Sequence, residues 1–336
     1  MSEPSAAIVM PAYNAAAFLE RSLPAALAAA RGRTVLVVDP GSTDDTAAMV
    51  ERLGAKVIRH GRRAGPAEAR NVGVRALDVD VLLFIDADCV AHPDVLDRVV
   101  EAFGADPALV TLTGSYDDSP PDPGFFSQYM NLRHHHTHQV AKTEDATFWA
   151  GCGAVRRAPF LEVGGFDHEK FPRPMIEDIE LGLRMKKHGK TRLDPKLQVT
   201  HLKRWTLRSV VHTDIFCRAV PWTKLIRASG KLPNDLNLRW TQRLAAVVAP
   251  FALAAPLVAA LLLVLGPREP WMVVAVLLPL VVAYGLIRDL YGFFRRHRGL
   301  SFGVRAFLFH QVHLIYSAAT FVLTGLFAKR TSGSSS

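Results

Sequence analysis

Two carboxylates at the end of an apolar run are the first residues whose spacing suggests chemistry. The run Val81–Ile85 is followed at once by Asp86-Ala87-Asp88. Side chains alternate between the two sides of an extended chain, so residues two apart point the same way. Like charges held together are costly unless a cation lies between them. Carboxylate oxygens suit Mg²⁺ or Mn²⁺, which usually also bind substrate phosphates. The pair indicates such a site, with a solvated acidic loop as the alternative.

A third acid, Asp39, ends the apolar run Thr34–Val38 and precedes a polar turn. Thr43 or Asp44 can cap the helix that follows, and a helix N-terminus attracts anions. A plain strand, turn and capped helix account for the turn residues. They do not account for an acid at the end of the strand.

A fourth acidic position opens another predicted helix, at Glu177 and Asp178. Ile176, Ile179 and Leu183 are its predicted apolar positions. Acids are common in a first helical turn for electrostatic reasons alone. The functional interpretation is a general base, held at the helix N-terminus and ionised at neutral pH.

The elements that must position these acids alternate through about residue 200. The predicted strands are Ala7–Met10, Thr34–Val38, Lys56–Arg59 and Val81–Ile85, and the predicted helices are Ala15–Ala30, Thr43–Leu53 and Glu68–Ala76. Asn14 is a possible N-cap of the first helix. Continuous apolar strands between helices predict a parallel sheet covered on both faces. Ligands of such sheets bind beyond the carboxyl ends of the strands, where Asp39 and Asp86 lie.

The C-terminal part of the chain has a different composition. The 336 residues are 49% hydrophobic with a net charge of +9. Apolar stretches at 244–265, 271–287 and 306–327 predict a transmembrane region over 244–330 with about three helices. The third stretch is interrupted by His310, Gln311 and His313. Buried core helices are the alternative for each stretch.

The basic residues predict how this region meets a membrane. The connector 205–243 mixes Trp205, Trp222 and Trp240 with several Arg and Lys, as interfacial amphipathic helices do. The Arg-rich loop Arg288–Arg305 predicts a cytosolic side, which also places the catalytic domain, 1–204, in the cytosol. We expect a bacterial-type inner (plasma) membrane, and a flexible tail at 331–336.

Three widely spaced cysteines, Cys89, Cys152 and Cys217, give no disulfide framework and predict reduced thiols. The N-terminus lacks the pattern of a signal peptide. The membrane surface explains much of the positive charge, and no motif indicates nucleic-acid binding.

Six motifs follow one another along residues 6–205. They are Pro11-Ala12-Tyr13-Asn14, Val38-Asp39 with Gly41-Ser42-Thr43-Asp44, Ala69-Arg70-Asn71-Val72-Gly73, Asp86-Ala87-Asp88, Gly164-Gly165-Phe166-Asp167, and Glu177-Asp178 with Arg184 and Gly189. Together they resemble the inverting family 2 glycosyltransferases with a GT-A fold. The resemblance implies a mixed, mainly parallel sheet flanked by helices, and a nucleotide-sugar donor.

The resemblance also implies roles for particular residues. The donor-binding residues would be Pro11, Ala12, Tyr13, Asn14, Asp39, Arg70 and Asp86. The metal, Mg²⁺ or Mn²⁺, would be held by Asp88, Asp86 and His201, although a solvent-facing role for His201 is equally open. Asp178 would be the catalytic base, with Glu177 beside it. The acceptor side would include Trp149, Gly165, Phe166 and Asp167.

Three departures from the family pattern narrow the expectation. Pro40 stands where many members have a second Asp, so nucleotide recognition can differ there. The QxxRW motif of processive members is absent, and Arg218-Ala219-Val220-Pro221-Trp222 is only weakly similar to it. This absence favours transfer of a single sugar. Cys89-Val90 replaces the Leu-Gln that follows the acids in dolichyl-phosphate-sugar synthases.

The acceptor is the least specified partner. The predicted anchor favours a lipid or lipid-linked saccharide in the cell envelope, and a base favours a hydroxyl over a phosphate acceptor. Polyprenyl phosphate is the alternative acceptor. A His-rich tract containing His134, His135, His136 and His138 predicts a helix at the acceptor groove or membrane edge, with partly protonated His; a zinc site is its alternative.

Two other functions are more remote. A nucleotidyltransferase would need a basic Gly-rich loop near the first strand, which Pro11–Ala17 lacks. An inactive scaffold should have lost Asp39, Asp88 or Asp178, and all three are present. A dinucleotide-dependent dehydrogenase is excluded because no GxGxxG follows the first strand.

Overall fold

The computed structural model describes residues 3–229, 240–265 and 270–327. The chain divides into two compact units, Met1–Thr206 and Leu207–Ser336. The predicted tail 331–336 and residues 230–239 of the predicted connector lie outside the described residues. The predicted limits of the connector stay predictions.

An eight-stranded sheet forms the centre of the N-terminal unit. Its strands are β1 (Ala6–Pro11), β2 (Val35–Asp39), β3 (Lys56–Arg59), β4 (Val81–Ile85), β5 (Cys89–Ala91), β6 (Leu109–Tyr116), β7 (Cys152–Arg156) and β8 (Lys190–His201). The strand order is β3-β2-β1-β4-β7-β6-β8-β5. Strands β3, β2, β1 and β4 are parallel, β7 runs antiparallel to both β4 and β6, and β8 is parallel to β6. The sheet is therefore mixed, as predicted.

Seven helices accompany this sheet. They are α1 (Ala16–Ala30), α2 (Thr46–Arg52), α3 (Pro66–Ala76), α4 (Val95–Ala105), α5 (Phe125–Val140), α6 (Arg157–Glu162) and α7 (Glu177–Met185). Apolar residues of α1 and α4 pack on one face of the sheet, and those of α3, α6 and α7 pack on the other. This two-sided cover explains why β1 and β4 are uninterrupted apolar runs, buried at every residue.

Two local predictions were wrong. Asn14 does not cap α1: it adopts a left-handed conformation with φ of 48°, and α1 follows Ala15. The predicted apolar face of α7 was wrong at Leu183, which is half exposed; Ile176 is buried as predicted, and Leu181 and Met185 are also buried. The pattern is misleading because the charged residue Glu177 lies on the buried face.

The C-terminal unit is helical throughout its described residues. Its elements are α8 (Leu207–His212), a π-helical segment (Thr213–Ala219), α9 (Val220–Ser229), α10 (Trp240–Leu265), α11 (Pro270–Leu286) and α12 (Arg288–Phe327). The Arg-rich segment predicted as a loop is helical, with a break at Gly299, where φ is 82°.

Two of these helices have the length and apolar composition to cross a membrane. They cover Trp240–Val264 and Arg288–Phe327, and Trp271–Leu286 is a shorter apolar helix. Trp205, predicted at the membrane interface, is instead buried in the N-terminal unit. Its backbone N–H donates to Ser127 Oγ at 2.8 Å, and the Lys203 ammonium lies over its ring.

Candidate active site

The turns after β1 and β2 are joined by hydrogen bonds between their side chains and backbones. Asn14 Oδ1 accepts from the backbone N–H of Thr43 at 2.8 Å, and the N–H of Asn14 donates to Ser42 Oγ at 2.9 Å. The N–H of Ala15 donates to Thr46 Oγ1 at 2.8 Å. The two motifs, separated by some thirty residues in sequence, thus form one rigid corner at the carboxyl ends of neighbouring strands.

Asp39 and Tyr13 lie in this corner, where the donor nucleotide is predicted to bind. Asp39 is almost fully buried at the end of β2, and its Oδ1 accepts from the N–H of Ser42 at 2.8 Å. Tyr13 is more than one third exposed, and the Arg63 guanidinium lies 5.3 Å from its ring centroid. An exposed aromatic ring next to a cation is suited to an aromatic base with phosphates attached. Arg63 was not singled out from the sequence.

Arg70 connects two of the predicted acidic sites. Its Nη2 donates to Asp86 Oδ1 at 2.6 Å, and its Nη1 lies 3.5 Å from Glu177 Oε1. Burial disfavours the charged guanidinium, but Asp86 and Glu177 more than compensate and raise its pKa. Arg70, predicted near the donor phosphates, therefore holds two carboxylates in this structure. It ties the first acid of Asp86-Ala87-Asp88 to the start of α7.

Asp88 faces His201 rather than Arg70. His201 Nε2 lies 3.3 Å from Asp88 Oδ2, and His201 Nδ1 is 2.6 Å from Asn131 Oδ1. Asn131 Oδ1 can only accept, so His201 Nδ1 donates to it, and Nε2 is the ring nitrogen that faces Asp88. Burial would raise the pKa of Asp88, but His201 and Lys203 bring it below its ordinary value.

A three-residue group of possible metal ligands lies at this position. One ligand atom each from Asp88, Cys89 and His201 lie within 4.8 Å of one another. The group fits a divalent cation, because a carboxylate and a correctly oriented imidazole converge and the imidazole has an outer hydrogen-bond partner. Asp86 is not among these ligands, and its predicted metal contact stays a prediction. From the sequence, Cys89 was interpreted only as a reduced thiol. Its position next to Asp88 in the sequence could have indicated that it lies at the metal site.

Asp178 occupies the first turn of α7, as the sequence predicts. Its Oδ2 accepts from the N–H of Ala150 at 3.2 Å, and its Oδ1 accepts from the N–H of Ile179 at 2.8 Å. Burial, and next the charge of Glu177, raise its pKa to about 7. This raised pKa differs from the expectation that the helix N-terminus keeps Asp178 ionised at neutral pH. Burial outweighs the stabilisation offered by the helix N-terminus.

The Gly164–Asp167 turn is held by the amide of Asn71. Asn71 Oδ1 accepts from the N–H of Phe166 at 2.9 Å, and its Nδ2 donates to the Phe166 carbonyl at 2.8 Å. The Phe166 ring is buried against Phe84, with centroids 5.6 Å apart. Phe166 was predicted on the acceptor side, but its ring lies in the core. Its backbone positions the turn and Asp167.

An aromatic cluster surrounds the predicted acceptor residue Trp149. Tyr116 stacks on His201 with 4.2 Å between centroids and meets Trp149 edge-on at 4.6 Å. His138, on α5, lies 5.1 Å from Trp149. The His-rich tract is helical, as predicted, but burial and His135 lower the pKa of His138 to about 4. His138 is therefore neutral, contrary to the partly protonated state expected.

Comparison with solved structures shows the same fold. The chain matches a mannosyltransferase from Pyrobaculum calidifontis, solved in complex with GDP-Man and Mn²⁺, with a TM-score of 0.58 and 18% identity over 98% of this chain and 89% of that one. It matches S. aureus TarS 1-349, solved in complex with UDP-GlcNAc, with a TM-score of 0.50 and 14% identity over 96% and 89%. The fold is GT-A, the architecture of nucleotide-diphospho-sugar transferases.

Sequence comparison relates part of the chain to a family of enzymes. Residues 7–164 match the model of glycosyl transferase family 2. A validoxylamine A glucosyltransferase from Streptomyces hygroscopicus subsp. jinggangensis is 32% identical over 222 residues, which are 55% of this chain and 52% of the relative. The chain thus spans about half the length of the curated relatives it matches. The match lies within the N-terminal unit, Met1–Thr206, which is therefore similar in sequence to glycosyl transferase family 2.

Proposed function

We propose that this protein is a membrane-anchored, inverting glycosyltransferase. It moves a single sugar from a nucleotide-sugar donor to a hydroxyl group of a lipid or lipid-linked acceptor. The carrying observation is the Asp178 carboxylate at the start of α7, which the N–H groups of Ala150 and Ile179 hold beside Trp149 and whose pKa burial raises to about 7. A base whose pKa is close to the working pH combines a useful ionised fraction with a real affinity for the proton.

The donor binds along the carboxyl edge of the sheet. Asp39 and Tyr13 contact the base and ribose in the corner formed by the first two βα turns, and Pro11, Ala12 and Asn14 shape its wall. A UDP-sugar is the favoured donor. The relatives do not decide this, since one solved structure of the same fold holds GDP-Man and another UDP-GlcNAc.

Asp88 and His201 would hold a divalent cation, Mg²⁺ or Mn²⁺, with Asp86 beside them. When bound, such an ion neutralises the charge that develops on the departing nucleoside diphosphate. Asn131 accepts from His201 Nδ1, so Nε2 is the ring nitrogen that would bind the ion. Arg70 holds Asp86 in place at 2.6 Å and extends the same network to Glu177.

Asp178 acts on the acceptor. Its carboxylate takes the proton of the acceptor hydroxyl as the oxygen attacks the anomeric carbon from the face opposite the leaving group, which inverts the configuration. The backbone N–H groups of Ala150 and Ile179 fix the orientation of the carboxylate. Trp149 and the Gly165–Asp167 turn line the acceptor side.

The C-terminal helices support a membrane location. Trp240–Val264 and Arg288–Phe327 are long and apolar enough to span a bilayer, and the Arg-rich half of α12 favours the cytosolic side. An acceptor that is itself in a membrane fits this arrangement. The proposed setting is the inner (plasma) membrane, with a cytosolic catalytic domain that contributes to a cell-envelope glycolipid or polysaccharide.

The test is a donor panel on the detergent-purified full chain. We would measure release of UDP, GDP and dTDP from their sugars with Mn²⁺, Mg²⁺ or chelator, with and without membrane lipid extract. We expect metal-dependent release from one donor, stimulated by lipid, and lost in Asp178→Asn. Asp145→Asn, an exposed acid in a left-handed conformation that Asn tolerates, is the matched control.

Two results would contradict the proposal. Full transfer by Asp178→Asn would remove the base and favour an ionised acceptor such as polyprenyl phosphate. Absence of release, together with no thermal stabilisation of the protein by any of the three nucleotides, would reject a nucleotide-sugar transferase.

A further inference from the structure

Cys89 gives the metal site a sulfur atom that the general scheme does not use. Its Sγ lies 3.7 Å from Asp88 Oδ1, and His201 Nε2 lies 3.3 Å from Asp88 Oδ2. Asp88, Cys89 and His201 each offer one ligand atom, and these atoms are mutually within 4.8 Å. Three donors of different chemistry, oxygen, sulfur and nitrogen, therefore converge on one point.

The fold itself places these donors together. Cys89 and His201 are directly paired in the antiparallel ladder of β5 and β8. Directly opposed residues of such a ladder have side chains on the same face, with Cβ atoms about 4.5–5.5 Å apart. Both residues are nearly inaccessible to solvent, and Asn131 fixes the imidazole. The arrangement is thus rigid before any ion arrives.

The spacing and the donor types favour a soft, tetrahedral ion. Zinc takes oxygen and nitrogen ligands at about 2.0–2.1 Å, so the edge of a tetrahedral site between them is about 3.3 Å. The Asp88–His201 separation of 3.3 Å is compatible with this edge. Thiolate and imidazole donors select Zn²⁺ over Mg²⁺ and Mn²⁺, which prefer oxygen. Asp86 is bound by Arg70 and so does not add a second carboxylate to the ligands Asp88, Cys89 and His201.

We propose that Cys89 makes this site thiophilic, so that Zn²⁺ binds through Cys89 Sγ, His201 Nε2 and an Asp88 oxygen and excludes the Mg²⁺ or Mn²⁺ that supports transfer. On binding, the S–H bond breaks, its proton passes to water, and the zinc–sulfur bond replaces a bond to a hydrating water. Zinc is then a competitive inhibitor with respect to the activating cation. The regulatory consequence rests on the proposed function; the zinc binding does not.

The experiment measures the ligands of the bound ion directly. The metal-free full chain carrying Cys217→Ser, which removes the half-buried thiol of the C-terminal unit, is loaded with one equivalent of Zn²⁺. X-ray absorption at the zinc edge should show one sulfur at about 2.3 Å among nitrogen and oxygen ligands. A spectrum that shows no sulfur ligand overturns the proposal by itself, without measurements on further variants.

Variants locate the sulfur. Cys89→Ser in the same background should lose the thiolate-to-metal absorption band of bound Cd²⁺ and bind Zn²⁺ more than about tenfold more weakly, while Mn²⁺ affinity changes less. Cys152→Ser, another buried thiol, is the matched control and should keep the band. A band retained by Cys89→Ser, or lost in Cys152→Ser, assigns the sulfur elsewhere and contradicts the proposal.

These outcomes are separate from those of the proposed function. Mn²⁺-dependent release of nucleotide from a donor, with no sulfur around zinc, would leave the transferase standing and reject the thiophilic site. Sulfur-bound zinc with no turnover of any donor would support the thiophilic site and contradict the proposed transferase activity. Zinc inhibition that excess Mn²⁺ relieves, seen in the Cys217→Ser chain, would support both.

Discussion

Among single residues, Asp178 makes the sharpest prediction, because its pKa of about 7 lies within the working range. The base must be ionised to accept a proton, so kcat/KM should rise with pH and level off above about 7. Glu177→Gln removes the neighbouring negative charge, the second cause of the raised pKa, and should move this limb to lower pH. A pH–rate profile in wild type and Glu177→Gln measures both. An unchanged limb would mean that another group controls the acid side.

The raised pKa of Asp178 also predicts how the stability of the folded protein depends on pH. Its folded pKa lies above the ordinary 3.8, so the folded state binds more protons between about pH 4 and pH 7. Stability should therefore fall as pH rises through that window, by an amount that Asp178→Asn removes. We expect the melting temperature of Asp178→Asn to exceed that of wild type at pH 8 and to approach it at pH 4. The opposite order would show that the carboxylate is stabilised by its hydrogen bonds.

Asn131 is predicted to act on the metal through His201. Asn131→Ala removes the acceptor that fixes the proton on His201 Nδ1. Loss of such an outer hydrogen-bond partner typically costs 10–100-fold in metal affinity. Mn²⁺ titration by calorimetry should show this loss. Gln128→Ala, on the same helix and also buried, is the control and should retain affinity. Equal losses in both variants would point to general damage to α5.

Among the elements, the Gly164–Asp167 turn allows a matched comparison of two neighbouring glycines. Both have left-handed φ angles, 83° at Gly164 and 71° at Gly165. A Cβ at Gly165 would lie 2.5 Å from Asn71 Oδ1, whereas one at Gly164 would meet nothing within 4 Å. Gly164→Ala should cost only the backbone strain, about 1–2 kcal/mol. Gly165→Ala should cost about 1–3 kcal/mol more, because it also disrupts the Asn71 hydrogen bonds.

Denaturant unfolding of the two variants measures this difference. Equal destabilisation would mean that Asn71 moves aside without loss, and that the turn is not fixed by the amide. The larger cost at Gly165, accompanied by a rise in acceptor KM, would support a positioning role for the turn. Asp167 would then depend on α3 for its placement.

Elements with a local signal could be predicted from the sequence, and those set by distant contacts could not. Val81–Ile85 and Lys56–Arg59 are strands with the predicted bounds, because each carries a continuous pattern of its own. The positions of Asp39, at the end of a strand, and of Asp178, in the first turn of a helix, could be predicted in the same way. The pairing of Cys89 with His201 depends on β5 and β8, far apart in sequence, and no local pattern reveals it. Glu177 made the apolar face of α7 hard to assign, because its burial depends on its contacts with the distant Arg70 and with the backbone N–H of Met175.

For the whole molecule, the membrane proposal depends on apolar surface that a soluble chain would not keep. Leu257, Leu263 and Val264 on α10 are each more than 70% exposed. A charged residue at the centre of a transmembrane helix costs about 2.5–3.5 kcal/mol on insertion scales. Leu257→Lys should therefore lower the fraction of full-length protein that stays in the membrane pellet after an alkaline carbonate wash.

Leu161→Lys is the matched control for this change. Leu161 is also exposed, at 40%, but lies on α6 of the N-terminal unit, where a lysine should face water. We expect wild type and Leu161→Lys to remain in the pellet and Leu257→Lys to be partly released or degraded. Release of all three proteins alike would reject a transmembrane α10. The apolar surface would then have to be covered by protein, and the acceptor would no longer be expected among membrane lipids.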